Sequence, residues 1–503
     1  MKVLLVNPAG KESVSYIPLG LSYIASMLEK KGYDISCLDL RFIEDVPGKV
    51  RKENPDVVGI TCRYDNYASV SSIAKSIKQT KNIPVIAGGP FPTNCPEEAL
   101  SCEYIDYVVI GEGEGIILKL MDALEAGSGL ESVDGIGYSY QGRIKINTPS
   151  EYIKDLDSVP FPKRDIFDVY SYARDIRVFP MPAPYMHVVA SRGCLANCKF
   201  CQPVVRRLFG EKPRFRSPGN VIAEIQELIE KYRIRAFGFM DDTLTANKEW
   251  LFGLCEALIR KNINKKTVWL AQSRVDAFDT ETAEVMKQAG CRLVIFGVES
   301  GSQRVLNYLR KGIKVEQSYK ALRVAKRTGL IVQADTMIGM PYETEEDLKK
   351  TAQLYRKLKP EIIQTSLITP VPGTDFCKEA KEKGFLSADN VLAPARNSVK
   401  YVKRCVPEER LWYYLRQLNR YEIRISSLAS AAFTKLIILR WWSFIRIKKI
   451  EGIIFDAVNI LLHGVFHRII RKVFGNYPLY GLRAFLKKIE IYSDRKTARQ
   501  IYR

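Results

Sequence analysis

Histidine is scarce in this sequence: there are three in 503 residues, and none precedes His187. No stretch of about 20 residues is free of charge, which a membrane-spanning helix would need, so none is predicted. Low-complexity tracts are absent and the charged fraction is an ordinary 26%, which excludes global disorder. Lys2-Val3-Leu4-Leu5-Val6 reads as a first strand and lacks the cleavage site of a secretory leader. The 11 cysteines are scattered except for one tight cluster, so they do not form a disulfide framework. A reducing cytoplasm with free thiols follows, and Cys37, Cys62, Cys95, Cys102, Cys255, Cys291, Cys377 and Cys405 are expected mostly as small core residues.

The net charge of +21 is unevenly spread. From Lys403 to Arg503 there are 21 basic and 7 acidic residues, a surplus of 14 in the last fifth of the chain. Such a tail can meet nucleic acid, anionic lipid or an acidic substrate, and charge alone does not choose among them.

The first part alternates short Val- and Ile-rich runs with helical stretches. Strands are predicted at Val3–Val6, Ile35–Leu40, Val57–Thr61, Val85–Ala87 and Tyr107–Ile110, with helices near 21–31, 68–78, 96–100 and 115–124. This is the pattern of βαβ units around a parallel sheet, here a flavodoxin-like, Rossmann-type domain over 1–140 whose ligands bind at the carboxyl ends of the strands. A proline-punctuated, non-periodic stretch over 141–185 reads as a linker. Alternation resumes with strands at His187–Ala190, Ala236–Met240, Val268–Gln272, Leu293–Val298, Val332–Ile338 and Ile362–Leu367, predicting a (β/α)6 partial TIM barrel over 186–395. Over 396–503 the strand pattern stops. Ile450, Ile453, Ile454, Val458, Leu461, Leu462, Val465, Ile469 and Val473 recur at helical spacing, predicting a basic, amphipathic helical domain.

Cys194-Leu195-Ala196-Asn197-Cys198-Lys199-Phe200-Cys201 follows the first barrel strand. Thiolates ligate iron–sulfur clusters, and four normally close a cubane. Three leave one iron open to a small molecule. A structural zinc site would need a fourth ligand, and no second cysteine pair or downstream histidine nearby supplies it.

This C-x3-C-x2-C segment, with Phe200 before the last cysteine, resembles the signature of the radical S-adenosylmethionine (SAM) superfamily. The resemblance extends over roughly residues 185–380 through Phe239-Met240-Asp241-Asp242-Thr243, Gln272-Ser273-Arg274-Val275-Asp276, Phe296-Gly297-Val298-Glu299-Ser300-Gly301, Gly339-Met340-Pro341-Tyr342-Glu343 and Pro370-Val371-Pro372-Gly373-Thr374. It implies that Cys194, Cys198 and Cys201 hold a [4Fe-4S] cluster. It implies SAM contacts from Phe200, Asp241, Gln272, Arg274, Glu299, Ser300 and Gly339. A carboxylate suits ribose hydroxyls and a guanidinium suits the SAM carboxylate. Singly, Asp241 reads equally as a helix cap and Glu299 as a loop carboxylate.

In the amino-terminal domain, Ala87-Gly88-Gly89-Pro90 and Gly111-Glu112-Gly113-Glu114 follow the fourth and fifth strands. Each alone is an ordinary tight turn. With Pro18-Leu19-Gly20-Leu21 and Thr61 they resemble the cobalamin-binding domain that precedes many radical SAM barrels. The resemblance implies cobalamin contacts from Ile17, Gly20, Thr61, Gly88, Gly89, Gly111, Glu112 and Gly113. Ile17 stands where the cobalt-ligating histidine of D-x-H-x-x-G domains would be, and residues 1–186 contain no histidine. No imidazole of this domain can then ligate cobalt.

The resemblance implies reductive cleavage of SAM to a 5′-deoxyadenosyl radical and hydrogen abstraction from an unactivated carbon. Methyl transfer from methylcobalamin to a hydrophobic small molecule or lipid would follow. Oxidative cyclisation, as in the similar anaerobic magnesium-protoporphyrin ester cyclase, is the alternative. A flavodoxin- or ferredoxin-type electron donor is implied. A tRNA-modifying methylthiotransferase would need a further cluster from amino-terminal cysteines, whose spacing here is unlike that family's, so nucleic acid is not an expected partner. A metal-stabilised binding module without catalysis is the non-enzymatic alternative. The segment Leu436–Arg446 mixes Trp441 and Trp442 with apolar and basic residues, which suits peripheral contact with anionic lipid. It suits equally a helical domain packed on the barrel. His463 and His467 lack a third metal ligand and read as a solvated face. No catalytic residue is assigned.

Overall fold

The computed structural model describes residues 1–8, 16–43, 45–149, 152–173, 181–386, 402 and 404–418. The predicted amphipathic helix, the Trp441–Trp442 segment, His463 and His467 lie outside the described residues.

The amino-terminal sheet contains β1 (Lys2–Asn7), β2 (Asp34–Asp39), β3 (Val57–Thr61), β4 (Val85–Gly88), β5 (Tyr107–Val109), β6 (Ile136–Tyr140) and β7 (Arg143–Ile146). Their order is β2-β1-β3-β4-β5-β6-β7. The first five are parallel, as the apolar runs predict, in the flavodoxin-like order. The last two form an antiparallel hairpin on β5 that the periodicity did not show. All four residues of β7 are exposed, so it carries no apolar signal. The sheet therefore runs past residue 140.

Helices α1 (Leu19–Lys30), α2 (Val46–Glu53), α3 (Tyr67–Thr80), α4 (Pro90–Asn94), α5 (Pro96–Leu100) and α6 (Gly113–Ala126) connect these strands. Local chemistry sets their ends. Asp45 accepts the amide of Gly48 at the start of α2, and Gly127 takes φ +67° to close α6.

The second sheet contains β8 (Tyr185–Val188), β11 (Ala236–Phe239), β12 (Val268–Ser273), β13 (Cys291–Glu299), β14 (Ile331–Ile338) and β15 (Ile362–Leu367). Between β8 and β11 a two-stranded ribbon, β9 (Ser191–Arg192) and β10 (Arg214–Phe215), carries the cysteine loop. The six strands are all parallel, with β8 and β15 at the edges: a partial barrel. Their outward residues, including Met186, Phe237, Phe239, Trp269, Val294, Phe296 and Val332, share one buried core with the surrounding helices. Alternation then turns Tyr185, His187, Gly238, Leu270, Gln272, Gly297, Glu299, Gln333, Asp335 and Gln364 to the lumen. Capping is legible here too: Ser217 caps helix Pro218–Tyr232, and Thr344 with Asp347 forms a capping box on helix Glu345–Leu358.

The described residues 152–173 of the stretch read as a linker are built into the fold. Phe161 O accepts a hydrogen bond from Ser26 Oγ at 2.6 Å, and Lys163 N donates to Ser22 O at 3.0 Å. Tyr172 Oη donates to Asp39 at 2.8 Å and accepts from Asn7 at 3.0 Å. Arg164 is buried against Glu224, which also pairs with Arg216, and its guanidinium reaches His187 O at 2.9 Å. Non-periodicity marked irregular backbone, which tertiary packing had fixed in place. No helix among the described residues is long and apolar enough to cross a membrane.

Candidate functional site

The cysteine loop is held from several sides. Gly193, at φ +100°, turns the chain out of β9, and a Cβ there would sit 3.3 Å from Lys212 O. Cys198 O accepts the amides of Cys201 and Gln202 at 3.0 and 2.9 Å. Lys199 N donates to Leu309 O at 2.9 Å, and Lys199 O accepts Phe376 N at 3.0 Å. The Lys199 ammonium pairs with Glu379 at 2.8 Å and lies 4.0 Å from the Tyr308 ring centroid. Phe200 packs against a small core of Val305, Leu309, Met340, Ile368, Phe376 and Val402.

Cys198 is coupled electrostatically to both Cys194 and Cys201, although no group of three or more His, Cys, Asp or Glu among the described residues is drawn together closely enough to hold a metal ion. Burial pushes the Cys198 thiol up, opposed by Lys311 and Arg274, while Glu299 and Cys194 add to the rise. Burial also pushes Cys201 up, reinforced by Cys198, Glu299 and Asp242 and opposed by Lys311.

Beside the sulfurs, Lys311 Nζ lies 2.7 Å from Glu299 Oε1, both side chains 9% exposed. Burial, the largest single influence, would lower the Lys311 pKa, but the Glu299 carboxylate and the Cys198 sulfur together outweigh it and hold the ammonium above its usual value. Glu299 has φ +61°, which turns it out of the end of β13. A Cβ on Gly297 would stand 2.7 Å from both Glu299 Oε1 and Lys311 Nζ, so the glycine makes room for the pair. Arg274 grips Asp276 in bidentate fashion at 2.9 and 2.8 Å and donates to Lys311 O at 3.0 Å. Asp335, one strand over, accepts from Gln333 Nε2 at 2.9 Å, and the same nitrogen reaches Gln364 at 3.2 Å. Burial pushes Asp335 up to about 7.

Several residues expected to contact the cofactors also make bonds within the fold. Asp241 Oδ1 accepts from Ser191 Oγ at 2.5 Å and Oδ2 from Ala190 N at 3.3 Å, so it braces the entry to the cysteine loop. Of the two neighbouring aspartates it is Asp242 that joins Glu299 in raising the Cys201 thiol. Ser300 is fully buried, with Thr351 Oγ1 at 3.2 Å and its oxygen accepting Ser302 N at 3.1 Å. Glu112 accepts from Arg192 at 2.8 Å, from Arg214 at 2.9 and 3.1 Å, and from Ile153 N at 2.8 Å. Gly339, at φ +85°, donates to Glu343 at 2.5 Å and accepts from Arg404 at 2.8 Å. Gln272 faces the lumen by alternation. Lys311 and Asp335 were missed by sequence reasoning. Lys311 sits in a loop without periodicity, whereas Gln333 and Asp335, two apart on a buried strand, were a readable signal.

In the amino-terminal sheet, Thr61, Gly88–Gly89 and Gly111 all stand at carboxyl strand ends, with Ile17 and Gly20 entering α1 beside them. A Cβ on Gly89, at φ +111°, would meet Cys62 O at 3.0 Å and Thr61 Oγ1 at 3.5 Å. Gly111 N donates to Thr93 Oγ1 at 3.0 Å. Ile17 lines a small cleft with Tyr16, Leu19, Arg164, Tyr172 and His187. His187 is edge-on to Tyr16 at 4.3 Å, and burial lowers its pKa to about 3. The imidazole missing from residues 1–186 thus comes close to Ile17 from the barrel.

Comparison with known proteins agrees with this architecture. Residues 188–355 match the radical SAM superfamily, and residues 10–120 match the B12 binding domain. An uncharacterized methyltransferase of Pyrococcus horikoshii is 36% identical over 406 residues, covering 78% of this chain and 85% of that protein. The anaerobic magnesium-protoporphyrin IX monomethyl ester cyclase of Rubrivivax gelatinosus is 27% identical over 403 residues, covering 76% of this chain and 70% of the cyclase. The fold matches the radical SAM methyltransferase TsrM of Kitasatospora setae, with cobalamin and a [4Fe-4S] cluster bound, at TM-score 0.67 and 20% identity over 89% of this chain and 91% of TsrM. It matches the cobalamin-dependent radical enzyme OxsB at TM-score 0.68 and 16% identity over 98% of this chain and 75% of OxsB. The chain belongs to the radical SAM superfamily, in the group that carries an amino-terminal B12-binding domain. It is a radical SAM enzyme, and its cofactors are a [4Fe-4S] cluster, SAM and cobalamin.

Proposed function

We propose that this enzyme holds its cluster on Cys194, Cys198 and Cys201 and transfers a methyl group to an unactivated carbon of a small molecule. SAM is placed beside the thiols, against Glu299, Lys311, Arg274, Gln272, Asp242 and the turn at Gly339. Cobalamin is placed in the crevice bordered by Ile17, Gly20, Thr61, Gly88, Gly89, Gly111 and Gly113. The corresponding domains are 1–146, which takes in the β6–β7 hairpin, and 186–395, joined by 147–185 and followed by the tail 396–503.

The observation that carries this reading is the buried Lys311–Glu299 pair, bonded to Arg274 through Lys311 O, whose ammonium stands 5.9 Å from the ring centroid of Phe200 inside the cysteine loop. Three thiolates from one loop suit a cubane with one iron free of protein ligands. The cluster supplies an electron for SAM cleavage, and cobalamin supplies a methyl carrier. The chain supplies orientation. Lys311 and Arg274 offer cations to a carboxylate, and Glu299 and Asp242 offer acceptors to hydroxyl or amino groups. The tight glycine turns at Gly89 and Gly111 let a flat ligand lie against backbone.

The 36%-identical methyltransferase supports methyl transfer. The similarity to the cyclase favours oxidative ring closure as the second reading. The polar lumen row Gln333, Asp335 and Gln364 suits a substrate with hydrogen-bonding groups better than a plain hydrocarbon lipid. We assign a flavodoxin- or ferredoxin-type electron donor and no nucleic-acid partner. Peripheral membrane contact is assigned to the basic tail.

Anaerobic purification with hydroxocobalamin and cluster reconstitution tests the reading. Four irons per chain, a cobalamin spectrum and 5′-deoxyadenosine on reduction with SAM are expected. A chain that takes up neither iron nor cobalamin overturns it.

A further inference from the structure

We propose that Arg192 is a positioning residue that links occupancy of the two cofactor sites, so that a bound cluster tightens cobalamin binding and bound cobalamin secures the cluster. The inference rests on the placement of both cofactors proposed above.

Arg192 ends β9 and is followed directly by Gly193 and Cys194. Its guanidinium crosses to the other sheet, with Nη1 2.8 Å from Glu112 Oε1 and Nη2 2.5 Å from Glu114 Oε1. Arg214, its partner in the β9–β10 ribbon, binds both oxygens of Glu112 at 3.1 and 2.9 Å. Ile153 N adds a further bond to Glu112 Oε2 at 2.8 Å. Arg192, Glu112 and Glu114 are all buried. Glu112 lies between Gly111 and Gly113 in the loop that borders the cobalamin crevice. One buried network therefore ties the end of that loop to the residue two before the first cysteine.

Neither attachment has slack. On the cysteine side, Gly193 takes φ +100° against Lys212 O, so a shift of Arg192 is passed to Cys194. On the crevice side, Gly111 takes φ +92°, and a Cβ on Gly113 would press on Ile24 at 3.1 Å. Separating buried charges one at a time would strand a carboxylate or guanidinium, so the two loops are ordered together or loosened together. A ligand that orders one loop lowers the entropic cost of ordering the other, which is positive coupling, and it is reciprocal. An ordinary interface salt bridge would stabilise the fold without making one site sense the other.

The full chain is tested in cluster-free and anaerobically reconstituted forms. The Kd for hydroxocobalamin is read from its absorbance, and iron loss to a ferrous chelator is followed with and without hydroxocobalamin. Wild type is expected to bind hydroxocobalamin at least about 5-fold more tightly with the cluster present, and to lose iron more slowly with hydroxocobalamin present. Arg192→Met is expected to bring the affinity ratio near one, and Arg192→Lys to restore part of it, because a point charge cannot fork to two carboxylates. Arg192→Met with Glu114→Gln removes the stranded carboxylate while Glu112 keeps Arg214, so it guards against simple unfolding. It too should show no coupling. Equal affinities in wild type, or full coupling in the double variant, overturn the inference alone. Uptake of neither cofactor by wild type overturns the functional reading and the inference with it.

Discussion

Lys311 Nζ and Glu299 Oε1 meet at 2.7 Å directly over Gly297, where a single methyl group would stand 2.7 Å from each. Twelve residues separate the pair in sequence, and the absence of a Cβ on one glycine leaves them room to touch. Gly297→Ala should therefore displace the pair. The expected cost in stability is about 1 kcal/mol, the low end of overpacking, because both atoms are the far ends of flexible side chains. SAM affinity, measured by equilibrium dialysis on the folded variant, should fall. Unchanged melting and unchanged SAM binding would contradict the role given to this pair.

Asp241 acts on the cysteine loop from a distance. Its oxygens satisfy Ser191 Oγ and Ala190 N, both buried. Asp241→Ala should cost about 1–3 kcal/mol by leaving those donors unpaired. The variant should also hold fewer irons per chain after reconstitution, whereas Asp242→Asn should keep full iron content. Denaturant titration and iron analysis distinguish the two.

Glu343 sets a pH dependence. Burial pushes its pKa up to about 8, although the amides of Gly339 and Met340 pull the other way. The native state thus prefers the protonated carboxyl. The stability it contributes is fully present below the unfolded-chain value near 4.5 and is lost as pH rises toward 8. Glu343→Gln keeps an acceptor for the two amides and cannot ionise. Its urea midpoint should vary less than that of the wild type between about pH 5 and pH 8.

The stretch over 147–185 is open to a direct test. Arg164 shares the buried Glu224 with Arg216, and its side chain is 2% exposed. Arg164→Ala should lower unfolding stability by about 1–3 kcal/mol, because Glu224 keeps Arg216 while the buried carbonyl of His187 loses its donor. A flexible spacer would tolerate the change, so an unaltered denaturation midpoint would return this stretch to the status of a linker.

Much of this architecture is legible in the residues. The strand runs could be read because parallel strands covered on both faces are continuous and apolar, as Val57–Thr61 and Leu293–Val298 are. The β6–β7 hairpin escaped notice because β7 is exposed and offers no such contrast. The cysteine loop stood out through spacing, which is local. Asp241 and Asp242 could not be told apart, since adjacent residues at a strand end point in different directions and only the surrounding fold says which faces the thiols. Nothing local to Glu112 showed that Arg192, 80 residues away, binds it.

By itself the sequence determined the two α/β layers, the positions of their parallel strands and the identity of the three clustered thiols. Each depends on periodicity or spacing within a few tens of residues. Only the tertiary structure decided which charges pair: Lys311 with Glu299, Arg192 with Glu112 and Glu114, Arg164 with Glu224. A buried charge takes whatever partner the fold brings within hydrogen-bonding distance, and sequence separation carries no record of that distance.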